Sequence, residues 1–469
     1  MNKLNRNNQE LNNKLPIKII QFGEGNFLRA FVDYAIQHLN NKLNFNAGIA
    51  VVQPIENGMI NMLNEQDGLY TLFLKGIKND VKIQEKELIT NIVEGINPYT
   101  NFNNYLELAK EEELEFIISN TTEAGIAYVE IDKPDMEPPI SFPAKLTILL
   151  YQRYKHFNGD SDKGLTIIPC ELINYNADNL KAIILKYIDD WEYGEDFKNW
   201  ILTHNKFHNT LVDRIVPGYP RDEIEVYNAQ LDYKDDLIVT AEPFFLWVIE
   251  GDEILKEKLP FHKTDLNVQI VKNMQPYRTR KVRILNGAHT AMVPFSLLYG
   301  NTTVKETVEN DFTGSFMQKT VFDEIVGTLD MDTKELNHFA EEVFDRFRNP
   351  FVKHQLASIA LNSISKFKVR VLPSLLGYIE KNNKVPLHLT YAFACLVRFY
   401  KGIWQEKELP LNDSEVIIDF FIKVWEEHDF SNITKSVLSN QDFWDQDLSD
   451  IEGLQVALSS ALEAIENHG

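Results

Sequence analysis

Lys281, Asn286 and His289 lie within one nine-residue run, Lys-Val-Arg-Ile-Leu-Asn-Gly-Ala-His. A lysine can trade a proton, and an amide can hold an oxyanion with an imidazole beside it. If the run is an α-helix, His289 sits about 80° and Asn286 about 140° around the axis from Lys281. Three polar groups then share one broad face, while Val282, Ile284 and Leu285 pack elsewhere. Such a face suits reduction of a carbonyl. The bland alternative for each residue alone is a solvated lysine, a capping asparagine and a core histidine.

These residues need elements to hold them. Residues 17–22 form a short apolar run that ends in Gly23-Glu-Gly25, and an amphipathic stretch follows from Phe27 to Leu39. That order predicts strand, glycine turn and helix. Further strands are predicted at 47–52, 114–118, 165–168 and 238–241, and helices at 105–113, 143–157 and 177–191. Alternating strands and helices imply right-handed βαβ units and a parallel sheet. Runs at 68–76 and 81–92 predict an inserted antiparallel hairpin region. Beyond about residue 275 helix-length segments dominate, at 320–329, 336–348, 356–365, 387–402, 414–427 and 454–466. The expected architecture is an α/β Rossmann-like domain over 1–275 with an inserted β region, followed by an all-α domain over 276–469. Asn273-Met-Gln-Pro-Tyr277 breaks the pattern between them, so Lys281 opens the second domain at a seam, where ligand sites are favoured.

Gly23 suits a tight turn, and Gly25 lets a pyrophosphate approach backbone N–H groups at a helix start. Leu28 stands where a third glycine would complete the pattern. Phe22, Asn26 and Phe27 complete the candidate cofactor loop. The acid that usually binds ribose after the second strand is absent, which leaves Gln53 or Glu56 for that role. No Lys or Arg occurs from Val51 to Leu74, so nothing there awaits a 2′-phosphate, and NAD is the expected cofactor rather than NADP. Asn120, Thr122 and Glu123 follow a buried strand, where ligands collect in doubly wound sheets; a plain turn with a helix cap is the alternative. Glu171 and Asn174 follow another strand end and are substrate candidates. Cys170 reads as a small buried residue. Asp213 is a further substrate candidate, with a structural ion pair to Arg214 as its alternative.

The net charge of −22 argues against nucleic acid as a partner. Two cysteines far apart make neither a zinc site nor a disulfide framework, so no metal is expected. The N-terminal residues are polar, and no apolar run approaches a membrane span. A cytoplasmic protein with a small-molecule sugar acid as its ligand, no membrane and no obligate protein partner is expected.

The spacing Lys281, Asn286, His289 resembles that of the mannitol dehydrogenase family, the polyol-specific long-chain dehydrogenases. Gly23-x-Gly25-x-Phe27-x-Arg29-Ala30 is similar to that family's variant nucleotide loop, and Glu242-Pro-Phe with Trp247 to a further shared stretch. Ser119-Asn-Thr-Thr-Glu-Ala-Gly125, Ser141-Phe-Pro-Ala-Lys-Leu146 and Ile168-Pro-Cys-Glu-Leu172 resemble the family's keto-hexuronate branch. The resemblance implies metal-independent hydride transfer. Lys281 would be acid in reduction and base in oxidation, while Asn286 and His289 polarise the substrate oxygen. Mannitol dehydrogenases carry a second oxyanion-holding Asn where Leu172 stands, and an Arg where Ser358 stands, eight residues before the lysine matched by Lys366. Both departures imply a substrate unlike mannitol. A hexuronate brings a carboxylate, for which Arg283, Lys366 and Arg370 are the candidates. The expected reaction is NADH-dependent reduction of tagaturonate to altronate. Fructuronate reduction, polyol oxidation and an inactive nucleotide-binding regulator are the alternatives.

Overall fold

A computed structural model of the chain describes residues 2–11, 15–122 and 124–468. It divides into two compact units, one of Met1–Lys75 with Lys82–Met274, the other of Gly76–Val81 with Gln275–Gly469.

The strands of the first unit, in chain order, are β1 (Ile17–Phe22), β2 (Gly48–Val52), β3 (Tyr70–Lys78), β4 (Val81–Ile89), β5 (Ile92–Ile96) and β6 (Phe116–Ser119). They continue as β7 (Thr166–Pro169), β8 (Lys206–Phe207), β9 (Thr210–Asp213), β10 (Val239–Ala241), β11 (Leu246–Glu250) and β12 (Val268–Val271). A six-stranded sheet runs β5-β2-β1-β6-β7-β8, and its pairings are parallel. The order in which the chain adds strands reverses between β1 and β6, the point where doubly wound sheets open a ligand crevice.

Alternation along these strands sorts side chains into two cores. Ile19, Ile49, Val51 and Ile118 join one buried cluster. Ile20, Phe22, Ala50, Val52 and Ile117 join the other. Successive side chains point to opposite faces, so a strand that is apolar throughout must be covered on both sides. The helix Phe142–His156 supplies part of that cover. Ser141 caps it by accepting from the Ala144 N–H, and a proline sits in its first turn.

The predicted hairpin is β3 with β4, neighbours in a three-stranded sheet whose third member is β10. Its tip, Asn79 and Asp80, has φ of 52° and 60°, the left-handed pair that a two-residue hairpin turn requires. Two expectations change here. The strand predicted at 238–241 lies outside the main sheet, because β10 pairs with β3. The stretch 81–92 is interrupted near Thr90, and the residues beyond it form β5, which joins the main sheet beside β2.

A buried polar knot anchors the helix after the glycine turn. Arg29 donates to the carbonyls of Glu24 and Leu237 and to Asn26 Oδ1. Tyr70 donates to Asp33 Oδ2 at 3.0 Å. Burial raises the Asp33 carboxyl to about 7. Gln21 Oε1 and Asp33 Oδ1 are both buried without a hydrogen-bond partner. A folded-state pKa above the unfolded value makes the folded state bind the extra proton. Stability from this group is therefore full below about pH 4 and is lost as pH rises through 7, by at most about 4 kcal/mol. Asp33→Asn is expected to flatten that slope and to raise the denaturation midpoint at pH 8, as urea unfolding at pH 5 and pH 8 would show.

In the second unit the helix Leu387–Phe399 is buried along most of its length and packs against Gly287–Tyr299 and Leu454–His468. The expected helix at 356–365 is broken, since Asn362 at φ 52° separates Leu356–Ile359 from Ser363–Arg370. The segment expected at 320–329 is a π-helix, Thr320–Ile325, followed by a 3₁₀ turn.

Candidate active site

In the first unit the glycine turn sits at the end of β1. Gly23 has φ 120°, and a Cβ there would meet the Asn120 carbonyl oxygen at 2.9 Å. This glycine is therefore required both by its backbone and by the close approach of the loop after β6. Gly25 is exposed, and a Cβ there would meet nothing within 4 Å. The backbone at Gly25 is thus open to a ligand, which fits a dinucleotide's pyrophosphate at this turn.

The other cofactor candidates divide. Phe22 is a core residue: its ring lies 4.8 Å from Phe142 and 6.1 Å from Tyr105, and only its carbonyl, which accepts from the Asn120 N–H, faces the loop. Phe27 stacks on Phe31 at 4.9 Å. Asn26 is engaged by Arg29. Gln53 is buried, and its amide donates to the Ile55 and Glu56 carbonyls at 2.9 Å each. It thereby shapes its own loop. Beside it Glu24 accepts from the Met59 N–H at 3.2 Å, and burial raises its carboxyl. Asn120 donates to the Cys170 carbonyl at 2.6 Å. Thr122 follows in the same loop with φ 146°. Glu123 lies outside the described residues.

Glu171, expected at the substrate, is only 2% exposed. Its Oε1 accepts from Thr121 N and Thr121 Oγ1, each at 3.0 Å, and its Oε2 from Ser119 Oγ at 3.1 Å. Burial pushes this carboxyl up, while the Thr121 and Ser119 donors pull it back. Its oxygens are thus committed to the neighbouring loop. Leu172, by contrast, is 60% exposed, and Asn174 is exposed beside it. Asp213 is buried at the end of β9, in the small sheet β12-β11-β9. Arg214 donates to the Glu242 and Ala30 carbonyls and lies over Tyr34.

In the second unit the run that carries the trio departs from the expected α-helix. Lys281–Asn286 is a π-helix, preceded by Gln275–Arg280 and continued by the α-helix Gly287–Tyr299. Hydrogen bonding from i to i+5 stacks residues five apart. Asn286 therefore turns toward the Lys281 face, where an α-helix would hold the two about 140° apart. Lys281, Asn286 and His289 are each half-buried. The His289 ring lies 4.5 Å from Phe347 and 4.9 Å, edge-on, from His354. Desolvation and the nearby Arg346 hold the His354 imidazole below its usual range. Nothing in the spacing of the sequence pointed to His354.

The three basic candidates are placed differently. Arg283 is two positions from Lys281, hence on the opposite side of the helix, and donates to Ser374 Oγ at 2.7 Å. Burial alone lowers its guanidinium to about 10. Lys366 and Arg370 lie one turn apart on Ser363–Arg370. Arg370 reaches Thr290 Oγ1 at 3.5 Å, and its carbonyl would stand 3.0 Å from a Cβ on Gly287. Thr290 is four positions after Asn286, on the same side of that helix. Burial lowers Arg370, and burial with Arg370's charge lowers Lys366. Among the described residues neither forms an ion pair with a carboxylate.

No helix among the described residues is long and apolar enough to cross a membrane. No group of three or more His, Cys, Asp or Glu side chains among them is arranged to hold a metal ion.

Comparison with known proteins agrees with this division. The profile described as the mannitol dehydrogenase Rossmann domain matches residues 17–263, and that of the mannitol dehydrogenase C-terminal domain matches residues 273–466. The altronate oxidoreductase of Bacillus subtilis (strain 168) is 46% identical over 471 residues, covering 100% of this chain and 97% of its own. That of Klebsiella pneumoniae (strain 342) is 45% identical over 460 residues, covering 97% and 95%. A D-sorbitol dehydrogenase crystal structure in substrate-free form shares the fold at TM-score 0.79 and 19% identity, over 97% of this chain and 94% of its own. The Pseudomonas fluorescens mannitol 2-dehydrogenase, solved as a ternary complex with NAD and D-mannitol, does so at TM-score 0.65 and 19% identity, over 100% and 97%. The chain belongs to the mannitol dehydrogenase family and is an oxidoreductase acting on CH–OH groups.

Proposed function

We propose that this chain reduces a keto-hexuronate, D-tagaturonate to D-altronate, reversibly and with NADH. One observation carries the substrate class. Arg370 is a partly buried cation with no carboxylate paired to it among the described residues, and Lys366 stands one turn away with the charge of Asp413 near it but no ion pair, in a chain of net charge −22. Partly buried cations without a counter-ion are costly unless a ligand supplies the charge. A substrate carboxylate does so, and an arginine can grip it with two parallel hydrogen bonds. The activity named for the relatives, altronate oxidoreductase, involves a substrate with such a group.

The nucleotide supplies the hydride when it is bound at the glycine turn. Gly23 and Gly25 shape that turn, and the loop 119–122 stands beside it. The stretch from Val51 to Leu74 offers no cation, and Glu24 adds a carboxyl there, so a 2′-phosphate finds no partner and NADH is preferred over NADPH. Lys281 gives its proton to the carbonyl oxygen as the C=O bond becomes single, and takes it back in oxidation. Asn286 and His289 hold that oxygen while charge builds on it.

The test is nicotinamide oxidation measured with D-tagaturonate, D-fructuronate and D-fructose, each with NADH and with NADPH. The highest kcat/KM is expected for tagaturonate with NADH. Fructose as the fastest substrate would remove the carboxylate argument. A preference for NADPH would remove the argument from the cation-free stretch.

A further inference from the structure

We infer that Glu171 is a positioning residue for the nicotinamide half of the dinucleotide. The inference rests on the reading that the first unit binds a nicotinamide dinucleotide. Two segments at the C-terminal ends of parallel strands meet at this carboxylate, and a third leans on one of them. The loop after β6 gives it three hydrogen bonds, from Ser119 Oγ, Thr121 N and Thr121 Oγ1. The loop after β7 carries it, and is held in turn by Asn176, whose amide donates to the Pro169 and Glu171 carbonyls at 3.0 and 3.1 Å. The glycine turn after β1 leans on the first of these loops, since the Asn120 N–H donates to the Phe22 carbonyl at 3.1 Å and a Cβ on Gly23 would stand 2.9 Å from the Asn120 carbonyl oxygen. Gly125 closes the arrangement, since a Cβ there would stand 1.9 Å from Thr121 Oγ1 and push that hydroxyl off the carboxylate.

The sheet topology says which half of the dinucleotide this junction serves. In a doubly wound sheet the adenosine ribose lies beyond the second strand and the pyrophosphate at the turn after the first. Here the β2 side ends in Gln53 and its folded loop. The second nucleotide therefore lies on the other side of the switch point, over β6 and β7, where Glu171 joins their loops. A carboxylate with every oxygen engaged by a neighbouring loop does not bind a ligand itself. It fixes the Ser119–Thr122 backbone that does, and so accounts for Ser119-Asn-Thr-Thr and Pro169-Cys-Glu171 together.

The test compares ligands that share one half. Binding of NADH and of ADP-ribose to the full chain is measured by calorimetry for the wild type, Glu171→Gln, Thr121→Val and Thr121→Ser. The emission of bound NADH and the thermal midpoint are recorded alongside. Glu171→Gln, which replaces charge-assisted bonds from Thr121 by neutral ones and makes the Ser119 hydroxyl an acceptor, is expected to weaken NADH about tenfold. ADP-ribose should change by less than about twofold, and the emission of bound NADH should shift toward that of the free form. Thr121→Val should move the same readouts in the same direction, and Thr121→Ser should restore them; this pair decides the matter if Glu171→Gln does not fold. Equal weakening of both ligands, or a lower thermal midpoint with both affinities intact, would overturn the inference and leave Glu171 a structural residue. A wild type that binds neither ligand would instead overturn the dinucleotide reading, and the inference with it.

Discussion

Lys281→Ala is expected to lower kcat and kcat/KM for tagaturonate together, by about 10³-fold, while NADH affinity stays within about threefold. The equal fall follows because proton transfer to the oxygen is an interaction gained in the transition state, not in the ground state. The unchanged NADH affinity follows because the glycine turn and its neighbouring loops belong to the first unit, whereas Lys281 belongs to the second. The choice of lysine over its neighbours is also physical. Arg280 is spent on Glu335, at 2.6 Å, and Arg283 on Ser374, at 2.7 Å. Of the two basic residues in the π-helix, Lys281 and Arg283, Lys281 shares the Asn286 face. Single-turnover kinetics with titration of NADH would separate the two quantities. A Lys281→Ala protein with full turnover would remove the assigned proton donor.

Arg370→Ala should raise KM for tagaturonate about 100-fold while leaving weak activity on fructose within about threefold. The asymmetry is the point, since only one of these substrates carries a carboxylate. Arg370→Lys should recover no more than about tenfold, because an ammonium cannot reproduce the paired donors of a guanidinium. In the Arg370→Ala protein Lys366 loses a like charge one turn away and so becomes easier to protonate. Steady-state kinetics on the two substrates give the ratio directly. Equal losses on tagaturonate and fructose would mean that Arg370 supports the helix Gly287–Tyr299 through Thr290, and does not meet the substrate.

Much of the nucleotide unit was legible because its signals are local. The apolar run 17–22 and the Gly23-x-Gly25 turn each specify backbone geometry within a few residues and the structure keeps both, while the amphipathic stretch Phe27–Leu39 is helical but broken at Phe31. The hairpin between the runs 68–76 and 81–92 was legible for the same reason, and the structure places its tip at Asn79 and Asp80. What the sequence hid depends on partners far along the chain. Val239–Ala241 has the composition of a core strand, yet which sheet it joins is decided by Tyr70–Lys78. Glu171 at a strand end reads the same whether its carboxylate faces outward or inward, and inward is decided by Ser119 and Thr121, some fifty residues earlier. The π-turn at Lys281–Asn286 leaves no mark on hydrophobic periodicity over six residues, so an α-helix was the default reading. That one change of hydrogen-bond register alters which polar side chains share a face, and it brings Asn286 toward Lys281 where the regular helix would part them. His354 had no signal at all, since a lone histidine in a loop segment is identified only by the His289 ring against which it packs.

The central claim is that hydride from NADH reaches the keto carbon of a hexuronate. It is tested most directly by turning over D-tagaturonate with NADH deuterated at its hydride-donating carbon and locating the label in the product by NMR. The account predicts one deuterium on the carbon that carried the carbonyl, in a product that is altronate. Recovery of unlabelled altronate, or labelled product from fructose but none from tagaturonate, would contradict it.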